Sequence, residues 1–253
     1  MFALERQKKI LEILEAEGSV QVSKLSTVLD VTEETVRRDL EKLEKQECLT
    51  RTHGGAIPID ESGYELSLEK RKHTNSETKE MLAAEAVKHI AGGDTIFLDA
   101  STTTFYMAKE LKKMKNVTVI TNSIRIIDEL AGYDNIKLIS VGGKVSQNQS
   151  FIGTISEDII KEYFFASKVF FSSKGITEDV GILESNELEC GIKQKMIENS
   201  SKRYYLCDKS KIGRVGFVKL CGFDKINTII TDADLDLSFK TKLDELKVDI
   251  IKI

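Results

Sequence analysis

Val31-Thr32-Glu33-Glu34-Thr35-Val36-Arg37-Arg38-Asp39-Leu40-Glu41-Lys42-Leu43-Glu44-Lys45, followed shortly by Arg51-Thr52-His53-Gly54-Gly55-Ala56, decides the fold of the first quarter of the chain. Val36, Leu40 and Leu43 recur at helical spacing, so one face of 33–45 is apolar. Thr32 is placed to cap this helix, and Glu33 and Glu34 suit its positive end. Arg37 and Arg38 then project from the solvent-facing side, where arginine reaches phosphates or the O6 and N7 of guanine. Asp39 would repel phosphates, so its expected role is to neutralise a neighbouring arginine.

The segments around this helix complete a pattern. Leu4, Ile10, Leu11 and Leu14 predict a helix over 3–17 that Gly18 ends. Val22, Leu25, Val28 and Leu29 predict a second one over Gln21–Leu29, with Asp30-Val31 as the turn. Cys48–Thr52 reads as a short strand leading into the glycine turn at 53–56. Three short helices and a glycine-tipped hairpin make a winged helix-turn-helix over 1–58, whose third helix would enter a DNA major groove. Thr35, Arg37, Arg38, Arg51, His53 and Gly54 are the candidate contacts to double-stranded DNA, the glycines letting backbone approach phosphates.

Net charge argues against this reading: it is −4 for the whole chain, and residues 1–58 hold nine Lys/Arg and eleven Asp/Glu. A DNA contact must therefore come from where the cations sit, not from their sum. An Arg-Arg pair alone is usually just a solvated helix face. The helix-turn-helix, the two arginines and the basic glycine wing together favour DNA over RNA or a protein partner.

The one proline, Pro58, and the polar stretch from Asp60 to Asn75 mark a linker over 59–75. From 76 to 253 strands alternate with helices. Strands are expected at Thr95–Leu98, Val117–Ile120, Lys137–Val141, Lys168–Phe171, Arg203–Cys207, Thr228–Thr231 and Asp249–Ile253. Helices are expected at about 76–91, 103–113, 123–132, 155–164 and 187–200. The fold class is an α/β domain, a parallel-rich sheet with helices on both faces, behind a small winged helix.

Five polar loops follow those strands. Asp99, Ser101, Thr102 and Thr103 open a helix, as do Thr121, Asn122 and Ser123. Gly142 and Gly143 follow the third strand, Ser172-Ser173-Lys174-Gly175 a later one, and Asp208-Lys209-Ser210-Lys211 another. Each alone is commonly an N-cap, a turn or a solvated lysine. In a parallel sheet they gather at the carboxyl edge, where ligands bind, and hydroxyls with helix N-termini suit a phosphate.

Thr35-Val36-Arg37-Arg38-Asp39-Leu40, with Arg6 and Ile10 upstream and Arg51–Ala56 downstream, resembles the N-terminal signature of the DeoR family of bacterial transcription regulators. The resemblance runs through nearly the whole chain. It implies a sensor domain like the sugar-phosphate isomerases in fold that binds a phosphorylated sugar or related metabolite. It carries over Asp99, Ser101, Thr102, Thr103, Thr121, Asn122, Ser123, Gly142, Gly143, Lys174, Gly175, Asn186, Glu187, Asp208, Ser210 and Lys211. Two positions depart from the family: Ser101 replaces a common glycine, and Ser167 a common aspartate.

The expected protein is a ligand-controlled regulator, in the first instance a repressor of carbohydrate-metabolism genes, acting as a homodimer or homotetramer. The alternative is a sugar-phosphate isomerase-type enzyme with a DNA-binding appendage, using Asp99, Glu187 or Asp208 as base with Lys174 or Lys211 assisting. No catalytic residue, metal or cofactor is expected. Cys48, Cys190, Cys207 and Cys221 lack a CxxC pair, and His53, His73 and His89 lack ligand spacing. No apolar run approaches 18 residues and the N-terminus is charged throughout, so the expectation is a cytoplasmic protein with reduced thiols and no membrane partner.

Overall fold

The computed structural model describes residues 3–17, 19–45, 48–52, 54–57, 71 and 74–253. Gly18, His53, Pro58 and most of the polar stretch after it lie outside them. The chain divides into two compact units, Met1–Leu66 and Ser67–Ile253.

The first unit runs α1 (Ala3–Glu17), β1 (Val20–Gln21), α2 (Val22–Leu29), α3 (Glu33–Lys45), β2 (Thr50–Thr52) and β3 (Gly55–Ile57). Ile10, Leu14, Val22, Leu25, Leu29, Val36, Leu40 and Leu43 close its core, so the apolar face expected of α3 is buried. Asp30 ends α2 in the left-handed region at φ 51°, which a short polar side chain tolerates. Thr32 Oγ1 accepts from the Thr35 amide at 3.3 Å and caps α3 as expected.

One element differs. Gln21, expected at a helix start, belongs to β1, which pairs antiparallel with β3 to give a sheet of order β1-β3-β2. Two residues of strand carry no detectable period, so only the partner strand reveals them. That pairing is what demands Gly55: a Cβ there would stand 1.8 Å from the Val20 carbonyl oxygen. A Cβ on Gly54 would meet nothing within 4 Å and the residue is exposed, so its position is open to outside contact.

The second unit begins with α4 (Ser76–Val87), β4 (Thr95–Leu98), α5 (Thr102–Leu111), β5 (Val117–Thr121), α6 (Ile124–Leu130) and β6 (Ile136–Ser140). A hairpin follows, β7 (Lys144–Val145) and β8 (Phe151–Ile152), then α7 (Thr154–Tyr163), β9 (Ala166–Phe171), β10 (Gly175–Thr177) and β11 (Gly181–Glu184). The chain continues through α8 (Glu187–Glu198), β12 (Ser200–Cys207), β13 (Val218–Cys221), β14 (Thr228–Thr231), α9 (Leu237–Glu245) and β15 (Asp249–Lys252).

Seven strands form one parallel sheet of order β6-β5-β4-β9-β12-β14-β15. Alternate residues of each strand supply two cores. Ile96, Leu98, Phe170, Tyr204 and Leu206 pack with Leu82, Met107 and Ile126 of α4, α5 and α6. Phe97, Val169, Phe171 and Tyr205 pack with Ile160, Ile192, Met196, Phe239 and Leu243 of α7, α8 and α9. Both faces are covered, which is why these strands read as nearly continuous apolar runs.

The sequence reading misses α9, although Asp236 caps it and Phe239 and Leu243 sit four apart. It also misses the antiparallel sheet β10-β11-β13, whose strands of three or four residues are too short to show a pattern. The chain runs outward from β4 to β6, returns to β9 beside β4, and then runs outward the other way. The loops after β4 and β9 therefore diverge at a topological switch point, where open α/β sheets bind ligands.

Candidate functional site

On the first unit Arg37 and Arg38 are exposed on α3, and each is held by a carboxylate one turn back. Arg37 Nη2 donates to Glu33 Oε2 at 2.7 Å, and Arg38 Nε to Glu34 Oε1 at 3.3 Å. Arg51 on β2 lies 3.8 Å from Glu44 Oε2. Thr35 is half-buried against Thr32, and Gly54 lies beyond the end of β2; His53 is outside the described residues. Asp39 does neutralise an arginine, but a distant one: Arg6 of α1 donates to it at 2.5 Å, and Gln7 adds a bond at 2.9 Å. It is buried and ties α1 to α3, away from the exposed face of α3 that carries the two arginines.

Each of the three candidate cations is thus paired with an internal carboxylate, which a DNA phosphate would have to displace. Exposed i,i+4 pairs hold about 0.3–0.5 kcal/mol each. A Glu33→Gln/Glu34→Gln variant is expected to bind duplex DNA roughly 3–5-fold more tightly at low salt. The gain should fade as salt rises. Fluorescence anisotropy over a salt series measures this; unchanged affinity would place both carboxylates off the path of the DNA.

On the second unit the switch-point loops are built around Asp99. Its carboxylate, fully buried, accepts from the Ser101 amide at 3.2 Å, the Thr104 hydroxyl at 2.8 Å and the Ser172 amide at 3.1 Å. Ser101 caps α5 through the Thr104 amide at φ −72°, so its place does not require the glycine common in the family. Thr102 and Thr103 follow in the first turn. Thr121 Oγ1 donates to the Leu98 carbonyl at 2.8 Å and joins the loops after β4 and β5; Ser123 caps α6. Asn122 donates to the Phe151 carbonyl at 3.1 Å. Thr103 Oγ1 and Asn122 Oδ1 are both buried without a hydrogen-bond partner.

Gly142 accepts from Ser156 Oγ at 2.6 Å, and Gly143 has φ +142° with space for no Cβ, since one would stand 1.9 Å from the same Oγ. Lys211 Nζ donates to Ser172 Oγ at 2.5 Å and the Ser173 carbonyl at 2.8 Å, joining the loops after β9 and β12. Asp208 is buried, which pushes its carboxyl up. Lys211, the Ser210 hydroxyl and Lys79 outweigh that and hold it below the ordinary carboxylate range. Lys174 is half-buried directly before β10, its amide bonded to the Leu183 carbonyl. Glu187 is exposed on the first turn of α8, away from these bonds.

Residues 6–62 match the DeoR-like helix-turn-helix domain and residues 74–233 the DeoR C terminal sensor domain. The chain belongs to the DeoR family. It is similar over all its length (98% of the relative's) to the HTH-type transcriptional regulator YulB of Bacillus subtilis, at 41% identity. It is 36% identical to the L-fucose operon activator of Haemophilus influenzae (91% of this chain, 92% of that one). It is 33% identical to the lactose phosphotransferase system repressor of Staphylococcus epidermidis (98% of each). Among solved structures, a ribose-5-phosphate isomerase complexed with phospho-erythronic acid aligns over 54% of each chain, with TM-score 0.41 and 15% identity. This DeoR-family chain is a DNA-binding transcriptional regulator with a C-terminal sensor domain.

Four polar side chains of the DeoR sensor escape the sequence reading. Lys193 of α8 is buried and donates to the Ser172 carbonyl at 2.8 Å, pairs with Glu184, and lies 3.2 Å from Asp99 Oδ2. Burial alone would lower its pKa; Glu184 and Asp99 overcome this and raise it. Glu189, two residues after the expected Glu187, accepts from Ser146 and Ser150 of the β7–β8 hairpin at 3.0 and 2.5 Å. Burial raises its pKa against those bonds. Lys79 of α4 is 5% exposed, and burial, then Lys211, lower its pKa from 10.5 to about 8. Polar residues on otherwise apolar helix faces were the available signal.

Ser167, where many DeoR members have aspartate, donates to Asp94 at 2.9 Å at the amino end of β9, the opposite end of the strand from the polar loops. Its departure from the family leaves those loops untouched. Burial raises the thiol pKa of Cys190 to about 11 and of Cys207 and Cys221 to about 12, so all three stay protonated at neutral pH. Among the described residues no His/Cys/Asp/Glu group is placed to hold a metal, and no helix is long and apolar enough to cross a membrane.

Proposed function

We propose that the sensor unit binds a phosphorylated sugar or polyol derivative at the carboxyl edge of its sheet, and that this ligand controls the operator affinity of the winged helix. The observation carrying this reading is that two buried polar atoms on the loops after β4 and β5, Thr103 Oγ1 and Asn122 Oδ1, have no hydrogen-bond partner, at the sheet edge where Lys211 joins the loops after β9 and β12. An unsatisfied buried polar atom costs about 1–3 kcal/mol, which a ligand hydroxyl or phosphate oxygen recovers. The ligand residues proposed are Asp99, Ser101, Thr102, Thr103, Thr121, Asn122, Ser123, Gly142, Gly143, Lys174, Asp208 and Lys211, with Lys79 added and Glu189 in place of Glu187.

Repression of carbohydrate-metabolism genes is the proposed output. Its support is the full-length likeness to a sugar-system repressor, and the activator among the relatives makes the sign the point to measure. The proposed connection to the sensor is 59–75, and the proposed assembly is a homodimer or homotetramer. A first unit whose acidic residues outnumber its basic ones binds weakly alone and gains from two half-sites. The enzymic alternative has less support. Asp99 is enclosed by donors, Asp208 is held below the ordinary carboxylate range by Lys211, Ser210 and Lys79, and Glu187 is exposed.

A thermal-shift panel of pentose, hexose and polyol phosphates tests the reading. A ligand at a hundred times its Kd adds about 2.7 kcal/mol, roughly 5–10 °C for a domain of this size. Lys211→Ala and Thr102→Val should abolish the shift and the effector response while operator binding persists. A parent protein stabilised by none of the panel, or turnover of a panel member, would refute the proposal.

A further inference from the structure

Arg71, Thr74 and Asn75 are the described residues that immediately precede α4, at the N-terminal edge of the sensor unit. All three are tied into the ligand loops or to Lys79. Lys79 turns back from the first turn of α4 and donates to the Arg71 carbonyl at 2.5 Å and the Thr74 carbonyl at 2.7 Å. That spends two of its three N–H donors on this segment. Asn75 stands at the N-cap of α4 in the left-handed region at φ 53°, yet its side chain makes no cap bond. It reaches across 133 residues of sequence instead, donating to Asp208 Oδ1 at 3.4 Å and Ser210 Oγ at 3.3 Å. Arg71 Nη2 donates to Asn148 Oδ1 at 2.9 Å, in the β7–β8 turn whose Ser146 and Ser150 are held by Glu189.

An N-cap residue that gives up its own cap for a distant loop is a costly local choice unless the loop contact serves another purpose. The pin that holds the segment, Lys79, also feels the charge of the loop after β12. It faces Lys211 and Arg71 as like charges and Asp208 as an opposing charge. An anion near Lys79 and Lys211 removes that repulsion. The ammonium is then more fully charged, and its bonds to the two carbonyls strengthen.

Resting on the sugar-phosphate reading above, we propose that Arg71, Thr74 and Asn75 form the output strap of the sensor. An anionic group bound between Lys79 and Lys211 tightens the strap, and the change passes along the chain toward the DNA-binding unit. Coupling of this kind needs only about 1–3 kcal/mol, a 5–150-fold change in affinity.

The experiment uses the full chain with inorganic phosphate as probe. Binding is followed by calorimetry, and amide exchange of 74–87 by mass spectrometry. Phosphate is expected to bind and to slow exchange of the first α4 amides, among them the Lys79 amide bonded to the Asn75 carbonyl. Asn75→Ala is expected to keep phosphate binding within about threefold and to lose at least fivefold of the effect on operator affinity. Lys79→Met is expected to lose the slowed exchange. Binding with unaltered exchange, or full coupling in a folded Asn75→Ala variant, overturns the strap and leaves the sugar-phosphate reading intact. No phosphate binding by the parent protein overturns both.

Discussion

An Arg37→Ala/Arg38→Ala variant is expected to lose operator affinity by about 30- to 1,000-fold while its first unit stays folded. Each arginine–base or arginine–phosphate contact is worth about 1–3 kcal/mol, and two give roughly 2–4 kcal/mol after the internal glutamate pairs are discounted. The fold should survive, because the two side chains are 52% and 74% exposed and their only described ties are to Glu33 and Glu34. Alanine also favours the helix. The core contacts of Val36, Leu40 and Leu43 are untouched. The slope of log affinity against log salt should flatten by about two, one for each lost counterion exchange. Unchanged affinity in a variant with parental circular dichroism would remove α3 from the DNA interface.

Lys193→Met carries the second large effect, on the sensor alone. Lys193 separates two buried carboxylates, Asp99 and Glu184, and also bonds the Ser172 carbonyl. Removing one partner from a buried ionic cluster costs about 3–5 kcal/mol, because the remaining charges keep their desolvation penalty. At about 2–4 °C per kcal/mol, melting should fall by roughly 6–20 °C.

The pH dependence has a definite sign. Without the ammonium, the two buried carboxylates that Lys193 separates keep no opposing charge from it, and their charged forms are the costly ones. The deficit against the parent should therefore be smallest near pH ~4–5 and grow toward pH ~7. Glu184→Gln added to Lys193→Met should recover part of the loss, since Asp99 still has three N–H and O–H donors. Equal melting of Lys193→Met and the parent at neutral pH would refute the account of the cluster.

The same contrast between local and distant partners governs what could be read in advance. The helices of the first unit were legible because Val36, Leu40, Leu43 and the Thr32 cap act within one or two turns. The strands of the parallel sheet were legible because both faces are buried, which makes them apolar throughout. The loops after β4 and β5 were legible because hydroxyls before a helix form a local capping pattern. Asp39 shows the limit: its role as neutraliser could be inferred, but its partner is Arg6, on another helix 33 residues earlier.

Local chemistry in the sequence alone thus determined the winged helix, the alternation of strands and helices, and the five polar loops. Tertiary structure alone decided the strand order that sets β4 beside β9, and with it which loops share a crevice. It also decided that Glu189 and not Glu187 turns inward, and that Lys79 and Lys193 are buried beside those loops. Helical phase and hydrogen-bond periods act over a few residues and leave a pattern in the chain. A buried ion pair or a two-residue strand is stabilised by a partner dozens of residues away, and leaves none.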